Sequence, residues 1–399
     1  MSVIVQKFGG SSLAADDQVA AVAQRVADAH REGHQVVVVV SARGNTTSRL
    51  LADAGKLNAN PENRELDMLL AAGEQASASL LGLALQGLGL DAIALTGPQA
   101  GVKTCGSHLN ARSRSVDATR MLEALSQRKV VVVAGFQGAG PSGDITTLGR
   151  GGSDTTAVAI AAAVNADRCE IYSDVDGVYT ADPRVVAEAA HLRMVSHAEM
   201  KALAHHGAGV LNERAIDYAI EHGVTIHARR AHGKGGETIV RSEKGPGRSR
   251  IVGVACHKGL LCIQCHDKSA ADSLRERLAE FEWFAPELAE SSLPLFLLPT
   301  GQLADVDGLI DDVNRQFSAA VEITGPLASV SAVGFHAGQN ANTLDFAEKA
   351  LASEGVEVQL SLRFAHAVTC LIASEQAASA VCCFHDRFGI ADTGVANVA

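Results

Sequence analysis

A glycine-rich segment at residues 143–156 (GDITTLGRGGSDTT) carries side chains suited to binding a small charged molecule. Arg150 can hold a carboxylate through two parallel hydrogen bonds, and Asp154 can hold an ammonium group by its charge. A helix is predicted to start at residue 155, so Ser153 or Asp154 can cap it. A purely structural loop rarely needs so many glycines beside an arginine. The segment therefore favours an amino-acid zwitterion as its ligand.

A second motif, KFGGSS, lies where the first predicted strand ends. Gly9 and Gly10 let the backbone approach a ligand closely. A helix that starts within residues 12–17 would direct its free N–H groups to the same place, which favours an anion. Lys7 adds a positive charge. Taken alone, the motif predicts a tight strand-to-helix turn as readily as a phosphate-binding loop.

A third motif spans residues 172–184 (YSDVDGVYTADPR) and is rich in acidic residues. Carboxylates at a strand end could bind Mg²⁺ or the hydroxyl groups of a nucleotide. Tyr179 could flank a base, and Arg184 could meet phosphates. The alternative is a loop whose Asp, Gly and Pro residues serve turn formation alone.

The elements around these motifs alternate between short aliphatic runs and helical stretches up to about residue 240. Continuous apolar runs predict strands that are covered on both faces, as in a parallel sheet. Strand–helix alternation predicts a layered α/β domain. The predicted strands are Val3–Lys7, Gln35–Ser41, Asp91–Thr96, Lys129–Phe136, Arg168–Ser173 and Val224–Ala228.

Residues 242–250 (SEKGPGRSR) are rich in Gly, Ser, Pro and charge, and they predict a linker. We therefore expect one domain at residues 1–241 and two small α+β modules within residues 251–399. A weak internal repeat with a βαββαβ rhythm supports the two modules. In it, predicted strands at 251–267 and 329–335 precede predicted helices at 269–281 and 340–353.

The composition of the 399-residue chain excludes several classes of protein. The net charge is −11, so the chain is a poor general binder of nucleic acid. The aliphatic runs are much shorter than the ~20 residues of a membrane helix. Eight cysteines without an export signal indicate reduced thiols. We therefore expect a cytoplasmic protein with no nucleic-acid partner and no membrane partner.

The segments KFGGSS, SARGNTT, LLAAGEQAS, TTLGRGGSDTTA and YSDVDGVYTADPR, in this order, closely resemble aspartate kinases of the amino-acid kinase superfamily. The resemblance is strong up to about residue 240 and weaker in the tail, which resembles two ACT-like regulatory modules. It implies a three-layer α/β kinase domain with a mainly parallel sheet. The implied reaction is phosphorylation of the β-carboxylate of L-aspartate by ATP with Mg²⁺, the first step of aspartate-family amino-acid biosynthesis. A homodimer, or a dimer of dimers, through the ACT-like modules is also implied.

The implied chemistry needs no general base, because a carboxylate is already ionised at neutral pH. The resemblance implies that Lys7, Arg150 and Asp154 are catalytic, and no metal site of protein side chains alone is expected. The residues implied to bind aspartate are Ser41, Thr47, Glu74, Arg150 and Asp154. Those implied to bind ATP are Lys7, Gly9, Gly10, Ser11, Ser173, Asp174, Tyr179 and Arg184. Without the resemblance, Glu74 would be interpreted as an exposed helix carboxylate and Thr47 as a helix cap.

Two positions depart from the pattern of the family. Where the family usually has GAKVLHPR this chain has GAGVLNER, so Gly209 replaces a lysine expected at the nucleotide phosphates. Losing one such charge costs roughly 10²–10³ in rate unless another residue compensates. Cys105 stands where an acidic residue is common. The residues that could compensate for Gly209 are Lys201, His205, His206 and Arg214.

These departures leave two alternatives to an aspartate kinase. One is a kinase of the same superfamily that acts on another carboxylate or a related acidic, amino-acid-derived substrate, which Cys105 and Gly209 motivate. The other is a catalytically weak regulatory subunit, which Gly209 motivates. The tail also lacks the Pro-Gly turn common before the first helix of effector-binding ACT modules. We therefore expect feedback by lysine or threonine to be weak or lost.

Overall fold

The chain forms two compact units in a computed structural model that describes residues 2–233, 235–242, 251–278, 294–303, 306–317 and 320–390. Residues 243–250 of the predicted linker lie outside this description, so the predicted domain limits stay predictions. The first unit comprises Met1–Val178, Arg193–His197 and Val210–Glu243. The second comprises Tyr179–Leu192, Ala198–Gly209 and Lys244–Ala399.

Up to residue 241, short strands and helices alternate along the chain. The strands are β1 (Val3–Phe8), β2 (Gln35–Val40), β3 (Ala92–Leu95), β4 (Val102–Cys105), β5 (Arg112–Val116), β6 (Val130–Ala134), β7 (Gln137–Ala139), β8 (Ile145–Thr147), β9 (Arg168–Ser173), β10 (Val178–Tyr179), β11 (His191–Leu192), β12 (Met194–Ser196), β13 (Ile226–Arg230) and β14 (Glu237–Arg241). The helices are α1 (Asp16–Arg31), α2 (Thr46–Leu57), α3 (Asn63–Gly87), α4 (Thr119–Ser126), α5 (Gly152–Ala163), α6 (His197–His205) and α7 (Glu213–His222).

The first unit is built on an eight-stranded sheet in the order β12-β14-β13-β9-β1-β2-β6-β3. All neighbours in it are parallel except β13 and β14. The valines of β2 and β6 are fully buried, as expected for strands covered on both faces. The prediction of an α/β fold with a mainly parallel sheet is confirmed, and all six predicted strands are present.

Side chains alternate between the two faces of this sheet. Ile4 and Phe8 of β1 belong to a core with residues of α1 and α3. Lys7 lies on the opposite face, where α5 packs against β1. The carboxyl end of β1 and the amino end of α5 therefore meet, which brings two of the predicted site motifs together.

A second, four-stranded sheet in the order β5-β4-β7-β8 was not predicted. Its strands have three to five residues each. Most residues of β5 (RSRSV) are exposed or half-buried, so no apolar run reveals it. This sheet leads directly into the glycine-rich segment that carries Arg150.

In the described part of the chain, α3 is the one helix long and apolar enough to cross a membrane. Half of its apolar window is buried inside the protein. A core helix of a folded domain passes the same test, so this is weak evidence for a membrane segment.

In the second unit, both predicted modules contribute to one five-stranded sheet in the order β16-β15-β17-β19-β18. The strands are β15 (Ile251–Cys265), β16 (Leu295–Pro299), β17 (Val321–Gly334), β18 (Val358–Phe364) and β19 (Ala367–Ala373). The helices are α8 (Lys268–Arg277), α9 (Val306–Phe317), α10 (Ala341–Ser353) and α11 (Ala377–Arg387). The strand predicted at 329–335 begins earlier, at Val321. Residues 279–281 of the predicted helix 269–281 lie outside the described residues.

Candidate active site

A cavity of about 280 Å³ in the first unit gathers residues from four separate segments. Lys7 comes from β1, Ser41 follows β2, Glu74 comes from α3, and Asp154 comes from α5. Ligand pockets for drug-sized molecules occupy about 300–1,000 Å³, so this cavity suits a small metabolite. The full lining is Lys7, Gly9, Gly10, Ser41, Thr47, Glu74, Phe136, Gly149, Arg150, Gly151, Gly152, Ser153 and Asp154.

Lys7 and Asp154, which both line the cavity, form an ion pair. Lys7 Nζ lies 2.6 Å from Asp154 Oδ1, and the two side chains are only 12% and 13% exposed. Asp154 is in the first turn of α5, where the helix dipole favours a negative charge. The pair holds a lysine ammonium at a defined position in the cavity wall.

Glu74 is 4% exposed and lies on the inner face of α3, so it is not the exposed helix carboxylate that its local pattern suggests. Burial raises the pKa of its carboxyl to about 8, although the amide of Ala42 donates to it and the charge of Lys7 opposes the shift. Among the described residues, none makes a hydrogen bond to the buried Oε2 atom. The cavity therefore contains a buried acceptor that a ligand can satisfy.

Residues 148–151, between β8 and α5, form the Arg150 loop, whose backbone conformation depends on glycine. Gly149 and Gly151 have φ angles of +72° and +69°, in the left-handed region. Gly151 is the N-cap of α5, so the helix begins before residue 155 and the predicted cap at Ser153 or Asp154 is wrong. Arg150 itself is exposed, and in the described part of the chain its guanidinium forms no hydrogen bond or ion pair.

Gly10 is required by close packing between backbone segments. A Cβ atom at this position would lie 2.4 Å from the carbonyl oxygen of Ala42. The Gly10 carbonyl also accepts a hydrogen bond of 2.9 Å from the amide of Gly44. The turn after β1 therefore rests directly on the segment that follows β2.

Replacing Gly10 by alanine is expected to lower Tm by about 5 °C, because the clash is with backbone and forces a main-chain shift. Thermal unfolding followed by circular dichroism measures the change. Gly55→Ala is the matched control, since Gly55 lies in α2 with nothing within 4 Å of its added Cβ. A Gly10 variant as stable as this control would contradict the packing argument.

Phe136 lines the cavity and was missed as a site residue by the sequence analysis. Its φ is +68°, an unusual value for a residue with a side chain. Its amide donates to Thr156 Oγ1 at 3.1 Å, and its carbonyl accepts from the Leu148 amide at 2.9 Å. The strained conformation thus ties β6 to α5 and to the Arg150 loop. No local sequence signal marks it.

The remaining predicted ATP-binding residues do not line the cavity. Ser11 is exposed in a 3₁₀ turn, Gly10–Leu13. Ser173 ends β9 and its hydroxyl accepts from the Val175 amide at 3.3 Å. Asp174 follows and is exposed. Their predicted roles stay predictions.

Tyr179 and Arg184, also predicted to bind ATP, belong to the second unit. The Tyr179 ring meets His191 edge-on, with centroids 5.2 Å apart. Arg184 is 88% exposed and its guanidinium binds Asp182 at 2.8 Å. Exposure leaves this arginine accessible to an anion, and its predicted role likewise stays a prediction.

The structure narrows the possible substitutes for the lysine that Gly209 replaces. His206 is 1% exposed, and burial together with His205 and His257 holds its pKa well below the ordinary value, which makes it a poor source of charge. Arg214 is engaged by Leu148 and Asn110. A Cβ at Gly209 would meet nothing within 4 Å among the described residues, so close packing does not require glycine there.

Comparison with known proteins identifies the class that this fold and cavity represent. Residues 2–229 match the amino acid kinase family, and the chain belongs to it. An aspartokinase of Mycolicibacterium smegmatis is 38% identical over 417 residues, covering 98% of this chain and 97% of the relative. An aspartokinase of Geobacillus stearothermophilus is 37% identical over 407 residues, covering 99% of both. Within the amino acid kinases, the chain is therefore a member of the aspartokinase family.

A solved structure agrees with this assignment at the level of the fold. Aspartokinase III of Escherichia coli, in complex with aspartate and ADP, superposes with a TM-score of 0.79. The match covers 96% of this chain and 99% of the other at 23% identity. The shared fold extends over both units and includes the C-terminal sheet.

Proposed function

We propose that this chain transfers the γ-phosphoryl group of ATP to the β-carboxylate of L-aspartate. A carboxylate oxygen forms a bond to the γ-phosphorus, and the bond from that phosphorus to the β–γ bridging oxygen breaks. The products are 4-phospho-L-aspartate and ADP. The nucleophile is already ionised, so no proton has to be removed from it. The catalytic requirements are alignment and neutralisation of charge.

One observation carries this proposal: a single small cavity is lined by an ammonium, a guanidinium and two carboxyl groups. Lys7 and Asp154 form an ion pair in the cavity. Among the described residues, neither the Arg150 guanidinium nor the buried Glu74 Oε2 atom has a hydrogen-bond partner. An amino-dicarboxylic acid presents the complementary groups, namely an ammonium and two carboxylates. Membership of the aspartokinase family supports the same substrate.

For the phosphoryl group, we assign Lys7 the role of stabilising negative charge as it develops. An ammonium that is fixed in place and shielded from solvent acts more strongly than one in bulk water, and the Lys7 side chain is only 12% exposed. Asp154 is placed to keep that ammonium oriented, since its Oδ1 is 2.6 Å from Nζ. The backbone of Gly9 and Gly10 lines the same wall and is open to phosphate oxygens.

For the acceptor, we assign Arg150 to the α-carboxylate and Glu74 to the ammonium. Arg150 can bind a carboxylate through two hydrogen bonds. Glu74 offers its Oε2 atom, which has no hydrogen-bond partner among the described residues. Ser41 and Thr47, which line the cavity, can orient the acceptor through their hydroxyl groups.

Mg²⁺ is proposed to enter with the nucleotide. The described residues contain no cluster of three or more His, Cys, Asp or Glu side chains able to hold an ion by themselves. Asp154 is a carboxylate that could add one oxygen ligand beside nucleotide phosphates. The ion would neutralise charge on the phosphates, and Lys7 would act on the group being transferred.

The wider setting of the reaction is also a proposal. We infer a cytoplasmic enzyme that catalyses the first step of aspartate-family amino-acid biosynthesis, including routes to lysine and threonine. The acyl phosphate product is reactive, so a later enzyme can consume it. The C-terminal sheet has edge strands, β16 and β18, that can pair with a second copy. These edges support a homodimer through the ACT-like modules. Weak or absent feedback is proposed separately, from the missing Pro-Gly turn.

Glu74 predicts a specific pH dependence for the use of aspartate. Because its pKa is raised to about 8, the free enzyme holds a neutral carboxyl at pH 6–7, which cannot pair with an ammonium. We expect kcat/KM for aspartate to rise about tenfold per pH unit below pH 8 and then level off. Steady-state kinetics from pH 6 to 9 measure the profile.

Glu74→Gln is the informative comparison for this profile. It keeps the shape and an oxygen acceptor while removing the titration, so its profile should be flat and low across that range. KM for ATP should change little in either protein. A wild-type profile with no rise between pH 6 and 8 would rule out ionisation of Glu74 as a requirement for aspartate binding.

The proposed function is tested by ADP release from the purified full chain with Mg²⁺-ATP. L-Aspartate, L-glutamate and no acceptor are compared, and hydroxylamine traps any acyl phosphate as a hydroxamate. Aspartate-dependent ADP release with a matching yield of hydroxamate is expected. Turnover with glutamate in preference to aspartate would indicate another substrate. ATP binding without turnover on either acid would indicate a non-catalytic subunit.

A further inference from the structure

We propose that Arg214 and Asp67 are positioning residues that clamp the Arg150 loop and thereby set the affinity for the α-carboxylate of the acceptor. Neither residue lines the cavity. They hold the loop from two different helices, α7 and α3. This inference rests on the proposed role of Arg150 and concerns how this chain fixes that arginine in place.

The first half of the clamp comes from the start of α7. Arg214 Nη1 donates to the carbonyl of Leu148 at 3.2 Å, and Nη2 donates to Asn110 Oδ1 at 2.7 Å. Asn212 caps α7 and donates from Nδ2 to the carbonyl of Arg150 at 3.3 Å. The two backbone carbonyls that flank Gly149 are therefore both held from this helix.

The second half comes from α3. Asp67 is fully buried, and its Oδ1 accepts from Thr147 Oγ1 at 2.5 Å and from the Leu109 amide at 3.1 Å. Its Oδ2 lies 2.6 Å from His108 Nδ1. Thr147 immediately precedes the loop, and its carbonyl accepts from the Ala111 amide at 3.0 Å. Residues 108–111 therefore contact both halves of the clamp, since His108 and Leu109 bind Asp67 and Asn110 binds Arg214.

The loop needs such support because its own chemistry makes it loose. Gly149 and Gly151 flank Arg150 and add conformational freedom. The Arg150 guanidinium has no partner among the described side chains, so nothing at its tip orients it. The position of the guanidinium therefore depends on the backbone of the loop, and the hydrogen bonds of the clamp hold that backbone in place. A shift of about 1 Å in a binding group can cost up to 10²-fold in rate.

Asp67 and Glu74 also connect the two ends of the acceptor site. They are seven residues apart on α3, which is two helical turns, and both are buried on its inner face. Glu74 reaches the cavity directly, while Asp67 reaches the Arg150 loop. One helix thereby fixes the distance between the proposed ammonium site and the proposed carboxylate site.

The test compares Arg214→Gln, Arg150→Ala and the double variant by steady-state kinetics. We expect R214Q to lower kcat/KM for aspartate about tenfold while KM for ATP stays within about twofold. In the R150A background, adding R214Q should change kcat/KM for aspartate by less than about twofold, because the clamp acts through Arg150. If Arg214 only stabilised the fold, R214Q would lower kcat/KM for aspartate by the same factor in the wild-type and R150A backgrounds.

Further variants make the result interpretable. Arg214→Lys should recover part of the loss, since a lysine can reach one of the two acceptors. Asp67→Asn, which keeps Oδ1 as an acceptor, is the second route if R214Q does not fold, and ADP binding by calorimetry reports folding. Arg64→Gln is the control, because Arg64 binds Asp144 at 3.0 Å on the exposed side of α3.

Two results would overturn the clamp. One is additive losses in R214Q and R150A, and the other is a rise in KM for ATP as large as the loss for aspartate. Failure of the proposed function would look different, since the wild type itself would then show no aspartate-dependent turnover.

Discussion

Replacing Lys7 by methionine is expected to lower kcat by about 10³-fold with aspartate and ATP saturating. Methionine is an unbranched side chain only one heavy atom shorter than lysine, and it removes the charge, so the loss reports mainly on electrostatic stabilisation of the transferring phosphoryl group. The effect should be in kcat, because the charge matters most in the transition state. Single-turnover measurements with hydroxamate detection can resolve rates this low.

The Lys7 variant also leaves Asp154 without its ion-pair partner in a site that is 13% exposed, so folding has to be checked. Circular dichroism and ADP binding serve this purpose. Lys56→Met is the control, because Lys56 makes an ion pair of 2.8 Å with Asp53 on an exposed helix. A folded Lys7 variant with kcat within tenfold of wild type would remove Lys7 from the catalytic machinery.

Replacing Arg150 by alanine is expected to lower kcat/KM for aspartate by about 10²–10³-fold, with most of the change in KM. An exposed arginine whose guanidinium has no partner among the described residues contributes little to stability, so Tm should stay within about 2 °C of wild type. This combination of a large kinetic effect and a small thermal effect distinguishes a binding residue from a structural one. Kinetics with varied aspartate, together with thermal unfolding, measure both.

A substrate analogue provides the control for Arg150. β-Alanine keeps the amine and the carboxylate to be phosphorylated but lacks the α-carboxylate. Wild-type protein should use it poorly, and R150A should use it about as poorly, because the group that Arg150 binds is missing. A further large loss for R150A with β-alanine would mean that Arg150 acts on the nucleotide or on the reacting carboxylate.

The core of the first unit could be predicted from sequence because its strands are buried on both faces. The clearest examples are residues 36–40 and 130–134, which are apolar at every position and fully buried. The four-stranded sheet β5-β4-β7-β8 could not be predicted, because its strands are short and many of their residues are exposed or half-buried. The start of β17 was placed too late because β17 continues past a bulged, more polar stretch at residues 322–326.

Site residues could be predicted from sequence where the neighbouring residues form an unusual pattern, and not where their role depends on packing between distant segments. Lys7, Arg150 and Asp154 are charges placed among glycines, which is an unusual local pattern. Glu74 is a glutamate in a helix, and only the packing of α3 against the segment after β2 makes it buried. Phe136 depends on a positive φ angle, which a phenylalanine in the sequence does not indicate. Positions defined by long-range packing are therefore recovered from structure or from family resemblance.

The order in which the chain is synthesised has a consequence for its second unit. Ala181 and Val186 precede the last strands of the first unit in sequence, yet they pack in a core with β17 and β19. As the nascent chain leaves the ribosome, these apolar residues stay uncovered until those strands have been made. At about 5–20 residues per second this interval lasts on the order of ten seconds. The segment 179–192 therefore reaches its packed state only after the C-terminal strands have been synthesised.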